Sequence, residues 1–321
     1  MKVLITGGAG YIGSSVAWMF VDKGHDVTII DNLIRGKVSN LPKKSKFIKS
    51  DIADIDKLKK FLDKKYDVVL HFAALIDNEE SLSKKKLYFE NNFYKSKIFL
   101  NLCIDKGIKN FIFSSSAAVY GASKKSVNEN FKTKPLAPYG ESKLKFEKLL
   151  KKSKKKINYV VLRYFNVVGA EKKMRCGFEI KKNKSLFNNL CKAFVNKKKF
   201  FIFGKNFDTP DGTSVRDYVH INDISKIHYK FAKIIRNKKI NLIINCGYGT
   251  GYSVLDVIRK FNYIYRRKID FQFKEKRIND IEYSVASTKR LQRFQNLKES
   301  KNKLTSMIKS SLIWYKKSLK K

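Results

Sequence analysis

The chain has 321 residues, 43% of them hydrophobic, so it can bury a large core and is not expected to be disordered. No apolar stretch approaches the ~20 residues that a membrane-spanning helix needs, and the first residues lack the charged, apolar and cleavage regions of a signal peptide. The four cysteines are scattered without a C-x-x-C pair, which disfavours a zinc site and a disulfide framework. We therefore expect a cytoplasmic protein with no metal and no membrane partner.

The charge is unusual, because 70 Lys and Arg residues against 28 Asp and Glu residues give a formal net charge of +42. Such a value raises the expectation of nucleic-acid binding. However, the lysines are spread along the whole chain, as in KKSKKK (151–156) and KKNK (181–184), and no nucleic-acid recognition motif is present. This distribution favours solvated helix faces and loops, so we expect no specific nucleic-acid partner.

The first half of the chain alternates short apolar segments with helix-like segments. The apolar segments are typical of buried parallel strands, namely KVLIT (2–6), DVTII (26–30), KFIKSD (46–51), DVVLHFAA (67–74), NFIFSSS (110–116) and YVVLRYF (159–165). The helix-like segments lie at 13–24, 54–65, 87–106 and 139–152. This order predicts an α/β fold with a doubly wound parallel sheet of the Rossmann type.

After about Gly169 the alternation ends and the loops lengthen. LIINCG (242–247) predicts one more strand of the main sheet, and the end of the chain mixes a strand, IDFQF, with helices around 287–294 and 303–319.

We therefore predict two domains. Residues 1–169 would form a Rossmann domain, to which 225–256 returns. Residues 170–224 and 257–321 would form a smaller α/β lobe that binds the substrate.

A glycine-rich turn, TGGAGYIGSS, follows the first strand and opens the first helix. Gly7, Gly10 and Gly13 would allow a tight turn, close approach of the backbone to a pyrophosphate and close packing of helix on strand. The helix N-terminus would then offer its N–H groups to the phosphates. The strand before and the helix after the glycines make this a dinucleotide-binding motif.

Asp31 ends the second strand, where an acid can hydrogen-bond the adenosine ribose. A carboxylate there would repel a 2′-phosphate, so NAD is favoured over NADP. Arg35 is a mild counter-signal, because an arginine could accept that phosphate.

PYGESK places Tyr139 four residues before Lys143, on one face of the predicted helix. A free tyrosine has a pKa of about 10 and is a weak base at neutral pH. A lysine ammonium nearby and the charge of oxidised nicotinamide would both favour the phenolate. Ser116, at the carboxyl end of a predicted strand, could hydrogen-bond the reacting oxygen. These residues predict a nicotinamide-dependent enzyme that interconverts an alcohol and a ketone.

The chain resembles the extended short-chain dehydrogenase/reductase family and, within it, the branch that epimerises nucleotide sugars. The resemblance covers nearly the whole chain and is densest in TGGAGYIG, IDNL, HFAA, ENN, SSSAAVYG, PYGESK and LRYFNVVGA. The most specific stretch is IFGKNFDTPDGTSVRDYVHINDIS (202–225), whose T-P-D-G-T-x-V-R-D-Y-x-H core is typical of this branch.

The resemblance implies a set of residues for each ligand. The cofactor would be NAD, held by Gly7, Gly10, Tyr11, Ile12, Gly13, Asp31, Asn32, Asp51, Ile52, Phe72, Ala73, Asn91, Ser114, Tyr139, Lys143, Tyr164 and Phe165. The catalytic residues would be Ser116, Tyr139 and Lys143. A UDP-sugar substrate would be bound by Ser116, Asn166, Leu186, Phe203, Arg216, Arg277, Asp280 and Tyr283.

The chemistry of the substrate set fits a nucleotide diphosphate. Arg216 and Arg277 offer charged forks for phosphates, Asp280 can accept from ribose hydroxyls, and Phe203 can stack on uracil. For Phe203, a position in the core is an equally good interpretation.

The implied reaction is the NAD-dependent 4-epimerisation of a UDP-hexose, interconverting UDP-glucose and UDP-galactose through a 4-keto intermediate. A homodimer formed by helices around 87–106 and 139–152 is also implied.

Alternative substrates are UDP-N-acetylglucosamine and UDP-glucuronate; a non-catalytic NAD- or RNA-binding relative is a more distant alternative. A 4,6-dehydratase needs an Asp-Glu pair after the serine, where this chain has Ala117 and Ala118. The bulk of Tyr283 would disfavour N-acetylated sugars if it lines the sugar pocket.

The chain departs from the family at several positions. Val167 stands where a proline is common, and RIND (277–280) stands where R-x-G-D is usual. We expect Asn279 to adopt the left-handed conformation of that glycine. The altered KSLFNN segment (184–189) weakens the assignment of Leu186 as a uridine contact.

Overall fold

The computed structural model describes residues 1–63, 65–180, 185–295 and 303–320. The chain forms two compact units. Unit 1 comprises Met1–Gly121, Phe131–Tyr164 and Ile224–Asn245, and unit 2 comprises Ala122–Asn130, Phe165–Asp223 and Cys246–Lys321.

Strands and helices alternate through unit 1 and mix less regularly in unit 2. The strands are β1 (Lys2–Thr6), β2 (Asp26–Asp31), β3 (Lys46–Lys49), β4 (Val68–His71), β5 (Asn110–Ser116), β6 (Asn158–Tyr164), β7 (Asn166–Val168), β8 (Phe200–Phe203), β9 (Val215–His220), β10 (Asn241–Cys246), β11 (Gly251–Ser253), β12 (Phe271–Lys274) and β13 (Tyr283–Ser284). The α-helices are α1 (Tyr11–Asp22), α2 (Ile55–Leu58), α3 (Asn78–Ser83), α4 (Lys85–Phe89), α5 (Lys95–Asp105), α6 (Pro138–Lys152), α7 (Leu186–Val195), α8 (Ile221–Asn237), α9 (Val254–Tyr265), α10 (Lys289–Gln292) and α11 (Lys303–Leu319).

Within the described residues, seven strands form the main sheet, in the order β10-β6-β5-β4-β1-β2-β3. The pairs β1–β2, β2–β3, β1–β4, β4–β5 and β5–β6 are parallel. These are the seven strands that the Val- and Ile-rich segments predict, and the doubly wound fold class is confirmed. The strand order reverses between β1 and β4, and in such sheets ligands bind at the carboxyl ends of the strands beside this reversal.

Two helix predictions need correction. The segment 54–65 was expected to be one helix, but α2 covers only Ile55–Leu58. The segment 87–106 forms α4 and α5, separated by a π-helical turn at Glu90–Tyr94. This turn has a physical cause, because the Asn92 side chain bonds both the amide (2.8 Å) and the carbonyl (2.9 Å) of Leu75. Turns of this kind are common at functional sites.

Unit 2 contains smaller sheets. Strand β9 pairs with β11 antiparallel and with β13 and β7 in parallel, and β8 pairs with β12. Residues 122–130, 165–169 and 246–256, which the sequence grouped with the Rossmann domain, belong to unit 2. The reason is backbone pairing, since β7 and β11 join β9, and the Val127 amide bonds the Val285 carbonyl at 3.0 Å. The assignment of functions to the two segments stays a prediction.

Asp217 organises unit 2 from the middle of β9. It is fully buried, and its carboxylate accepts hydrogen bonds from the amides of Tyr248 (2.9 Å), Gly249 (2.8 Å) and Ala286 (3.2 Å). Burial raises the pKa of Asp217 to about 6, and the three amides act in the opposite direction. This residue of the R-D-Y motif therefore ties two loops to β9 rather than facing a ligand.

Within the described ranges, no helix is long and apolar enough to cross a membrane. Nor does any cluster of His, Cys, Asp or Glu in those ranges have the arrangement of a metal site.

The Asp217 contacts predict a large effect of Asp217→Asn on stability. The amide group of an asparagine must turn its NH2 toward at least one N–H donor, so the variant should lose about 2–4 kcal/mol of unfolding free energy. The measurement is urea denaturation followed by circular dichroism.

Asp208→Asn is the matched control, because Asp208 is largely exposed and pairs across the surface with Lys124 at 2.8 Å. It should change stability by less than about 0.5 kcal/mol. Equal effects of the two substitutions would contradict the role given to Asp217.

Candidate active site

The glycine turn lies at the end of β1, against the backbone that follows β4. Gly7 has φ +69°, and a Cβ there would lie 2.6 Å from the Ala73 nitrogen. A Cβ on Gly13 would lie 2.3 Å from the Gly7 carbonyl oxygen. The turn is thus a cradle that any side chain would fill, which fits the close approach of a dinucleotide pyrophosphate. It also lies beside Phe72 and Ala73, whose predicted contacts with the cofactor stay predictions.

Helix α1 starts at the turn, with Gly10 as its N-cap. Gly10 has no side chain to cap the helix, and the first turn, which includes Tyr11, Ile12 and Gly13, contains no acidic residue. The positive end of the helix dipole therefore faces the cradle, and no acidic residue of the first turn of α1 competes for it.

Asp31, the last residue of β2, links this strand to the glycine turn by a hydrogen bond. Its buried carboxylate accepts from the amides of Ala9 (3.0 Å) and Leu33 (2.8 Å). Burial raises the pKa of Asp31, and these two hydrogen bonds act in the opposite direction. Leu33 takes a left-handed conformation with φ +63°, which is strained for a leucine. Arg35 forms an ion pair with Glu80 at 2.8 Å, which weakens the case for a 2′-phosphate contact.

Asp51 and Asn32 lie together beyond β3 and β2. Asn32 donates to Asp51 at 3.2 Å, and Lys95 from α5 donates to the same carboxylate oxygen at 2.7 Å. Burial raises the pKa of Asp51, but the bonds from Lys95, Ala53 and Asn32 outweigh it and hold the pKa below its usual value. Sequence reasoning missed Lys95, which stands 44 residues from its partner. The neighbouring Ile52 buries its side chain in the core.

Tyr139 and Lys143 lie in the first turns of α6, and both are buried. The Lys143 ammonium donates to the Ser114 carbonyl at 2.8 Å and lies 4.9 Å from the Phe113 ring centroid and 6.0 Å from that of Tyr139. Burial lowers the pKa of Lys143 to about 7, and Glu147 acts in the opposite direction. Burial raises the pKa of Tyr139, and its hydrogen bond with Ser116 acts in the opposite direction.

The structure therefore brings Ser114, Ser116, Tyr139 and Lys143 together at the carboxyl end of β5. A buried tyrosine next to a cation and a serine hydroxyl is equipped to exchange a proton with a substrate hydroxyl.

The π-helical turn supports Tyr139 from the other side. Asn92 donates to the Ser142 hydroxyl at 3.2 Å, and Ser142 donates to the Tyr139 carbonyl at 2.7 Å. The predicted cofactor residue Asn91 donates to Asn92 at 3.0 Å. Asn92 is thus a supporting residue that the ENN motif contained but the sequence did not single out.

Tyr164 has a partner of its own within unit 1. Its hydroxyl lies 2.6 Å from Nε2 of His228, whose Nδ1 lies 2.9 Å from the Ile224 carbonyl. Because a carbonyl can only accept, Nδ1 carries the proton and Tyr164 donates to Nε2. Burial lowers the pKa of His228 to about 4, consistent with this neutral form. Phe165 is buried in unit 2, where its amide bonds the Cys246 carbonyl at 3.2 Å. The cofactor roles of both residues stay predictions.

Four of the predicted substrate residues form two pairs in unit 2. Arg216 donates to Asp280 at 2.7 Å and also to the carbonyls of Val215 and Glu282. The Arg277 guanidinium lies 4.2 Å from the centroid of the Phe203 ring. Phe203 is half-buried and lines an open cleft of about 760 Å³, so the core interpretation of this residue is wrong.

The turn between the two pairs has the geometry that the sequence predicts. Asn279 has φ +59°, the left-handed conformation expected where the family has glycine. The turn is closed by a hydrogen bond from the Asp280 amide to the Arg277 carbonyl at 3.2 Å.

Three further predicted substrate residues make no side-chain contact that links them to these pairs among the described contacts. Tyr283 is half-buried in β13, beside Gly251 of β11. Asn166 is exposed in β7, and Leu186 is half-buried at the start of α7. Their substrate contacts stay predictions.

Comparison with known proteins gives a consistent result over the whole chain. Residues 3–247 match the family described as the NAD dependent epimerase/dehydratase family. A UDP-glucose 4-epimerase of Azospirillum brasilense is 35% identical over 318 residues, which cover 98% of this chain and 91% of that protein.

Solved structures agree in fold. A UDP-glucose-4-epimerase of Stenotrophomonas maltophila, with bound NAD and formylated UDP-arabinopyranose, matches with TM-score 0.94 and 31% identity over 100% of this chain and 99% of its own. A UDP-Glc/GlcNAc 4-epimerase of Campylobacter jejuni matches with TM-score 0.84 and 30% identity over 98% and 99% of the two chains.

The cradle predicts that Gly13→Ala removes dinucleotide binding. The new Cβ must displace the Gly7 carbonyl, so NAD affinity should fall at least about 100-fold, equivalent to about 2.8 kcal/mol. The measurement is calorimetric titration of the apoprotein with NAD, with NADP as the second ligand.

Gly24→Ala is the control, because Gly24 follows the other end of α1 and its added Cβ meets open space in the described structure. Its φ of +73° makes the substitution cost about 1–2 kcal/mol of stability, but NAD binding should be unchanged. Unimpaired NAD binding by Gly13→Ala would refute the cradle.

Proposed function

Because the chain belongs to the NAD dependent epimerase/dehydratase family, we propose that it is an NAD-dependent 4-epimerase that interconverts UDP-glucose and UDP-galactose. The observation that carries the proposal is the cluster at the end of β5, where Tyr139 meets Ser116 and a buried Lys143 ammonium. Similarity to UDP-glucose 4-epimerases over nearly the full chain supports the choice of substrate.

The groups that would hold NAD follow the end of the sheet. The glycine turn and the start of α1 would take the pyrophosphate, and Asp31 the adenosine ribose. Asn32 and Asp51 would lie at the adenine end, and the β5 end would lie at the nicotinamide. When bound, NAD would supply the hydride acceptor for oxidation at C4 of the sugar and the hydride donor for reduction of the 4-keto sugar on its opposite face.

Tyr139 acts as the base and then as the acid. Its phenolate takes the proton of the sugar 4-hydroxyl while C4 is oxidised, and it returns this proton when the carbonyl is reduced. Burial alone would leave little Tyr139 in the phenolate form at neutral pH, because it raises the pKa of the phenol. The Lys143 ammonium offsets this by stabilising the phenolate, and Ser116 hydrogen-bonds the reacting oxygen.

The substrate groups of unit 2 are suited to the UDP part. Arg216 and Arg277 would bind the diphosphate, Asp280 the ribose and Phe203 the uracil. Tight binding of UDP leaves the sugar free to turn, which epimerisation requires, because the hydride must return to the other face. No net oxidation occurs, so NAD can stay bound throughout.

A second candidate is 4-epimerisation of UDP-N-acetylglucosamine. The similarity to a UDP-Glc/GlcNAc 4-epimerase favours it, whereas the bulk of Tyr283 is expected to disfavour an N-acetyl group. Dehydration is disfavoured because Ala117 and Ala118 cannot exchange protons. We also propose that the chain works in the cytoplasm as a homodimer, without a specific nucleic-acid or membrane partner.

The test is incubation of the purified protein with UDP-galactose, without added NAD, followed by NMR of the sugar anomeric protons. Appearance of UDP-glucose would support the proposal with a retained cofactor. No conversion by protein that contains NAD would refute it, and the same assay with UDP-N-acetylglucosamine decides the second candidate.

Tyr139→Phe should retain NAD and lose at least about 10³-fold in kcat, because the proton has no acceptor. Tyr263→Phe is the matched control, since Tyr263 is an exposed tyrosine of α9. It should match the wild type. Substantial turnover by Tyr139→Phe, measured by the same NMR assay, would rule out the assigned base.

A further inference from the structure

Glu147 lies one helical turn beyond Lys143 in α6, on the same face of the helix. Its side chain is only 3% exposed. A carboxylate is rarely buried to this extent unless it is paired. Nothing in the assigned site so far uses it.

The Glu147 carboxylate joins α6 to two adjacent strands. It accepts from the Ser115 hydroxyl of β5 at 2.5 Å and from Arg163 of β6, through Nε at 3.0 Å and Nη2 at 2.5 Å. Ser115 and Arg163 are direct partners in the β5–β6 register. One carboxylate thus fixes the helix that carries Tyr139 and Lys143 to both strands.

The strand end that Glu147 holds is part of the catalytic cluster. Ser115 stands between Ser114, whose carbonyl accepts from Lys143, and Ser116, which bonds Tyr139. Arg163 also lies 4.8 Å from the centroid of the Tyr120 ring, just beyond Ser116 in the chain. A shift of α6 against β5 would therefore change the Lys143–Ser114 and Tyr139–Ser116 contacts together.

The charges around Lys143 give Glu147 an electrostatic role as well. The titratable groups near the ammonium are Tyr139 and Glu147 on α6 and His71 on β4, with Arg163 of β6 behind Glu147. Burial, followed by the charge of Lys143, lowers the pKa of His71 to about 3, so this imidazole is neutral. Glu147 is then the anion that favours the charged form of Lys143.

We propose that Glu147 is a positioning residue for the reaction, which locks α6 to β5 and places a carboxylate one helical turn from the Lys143 ammonium and Tyr139. Its catalytic consequence rests on the proposed function, because only a reaction that needs the Tyr139 phenolate depends on this charge. Arg163 and Ser115 serve to hold the carboxylate.

The direct test is an NMR titration of protein labelled with ¹³C at lysine Cε. The Lys143 signal is assigned by its absence from Lys143→Arg. In Glu147→Gln, which keeps the size of the side chain and an acceptor for Ser115, the pKa of Lys143 should fall by about one unit. Arg163→Met is the matched control, because it breaks the same ion pair but leaves the carboxylate beside Lys143, so the pKa should not fall.

Removing one member of a buried pair can prevent folding. The double variant Glu147→Gln/Arg163→Met removes both charges. It replaces the single variants in the NMR titration if one of them does not fold. Since Glu147 is the charge that acts on Lys143, the pKa should fall in the double variant too. An unchanged Lys143 pKa in both Glu147 variants, or an equal fall in Arg163→Met, would overturn the proposal.

The kinetic readout is the pH profile of kcat for UDP-galactose. Loss of the Lys143 charge makes Tyr139 harder to ionise, so the acidic limb should move about one unit to higher pH in Glu147→Gln, with KM unchanged. A lower kcat at every pH with no shift would indicate a structural role only and contradict the electrostatic one. Inactive wild-type protein would refute the proposed function instead, and the NMR titration would still decide the role of Glu147.

Discussion

Burial of the Lys143 ammonium is the constraint on which the side-chain cluster at the carboxyl end of β5 depends. An isolated charge in an apolar interior is costly, so it needs close polar partners. Here they are the Ser114 carbonyl at 2.8 Å, the Glu147 carboxylate one turn along α6 and the faces of Phe113 and Tyr139. The contacts with Ser114 and Phe113 of β5 exist only while β5 and α6 keep their present alignment. The burial also has a benefit, because the electrostatic attraction between a cation and a neighbouring phenolate is stronger where water is excluded.

The two carboxylates proposed for the adenosine end are also held by close polar partners. Asp31 is fixed by two backbone amides, and Asp51 is fixed by Lys95 and Asn32. Each carboxylate is oriented by the protein itself, and the glycine turn is shaped by contacts with the Ala73 backbone. A cofactor that binds such a site finds its partners already in place, which reduces the entropy lost on binding.

The sequence predicts those structural features whose causes lie among residues close together in the chain. Runs of Val and Ile marked the seven strands, and the glycine spacing and the Tyr139–Lys143 spacing marked the site, because these patterns lie within a few residues. The shortness of α2 and the π-helical turn were not predicted. For the π-helical turn the reason is that helical composition cannot show that Asn92 bonds to Leu75. The roles of Lys95 and Glu147 were not predicted for the same reason, because their partners lie on or just after strands that are distant in the sequence.

Unit 2 shows how a site for a charged ligand can be held ready. Arg216 is paired with Asp280, and Arg277 lies over Phe203, so each guanidinium has a partner before any phosphate arrives. Arg277 and Asp280 are the two ends of one turn, and left-handed Asn279 fixes the distance between them. A diphosphate bound as we propose would therefore replace existing contacts of both arginines rather than add to them. The net affinity is the difference between the contacts that the arginines make with the ligand and the contacts that they give up. This difference favours a ligand that bonds both arginines at once over a ligand that reaches only one.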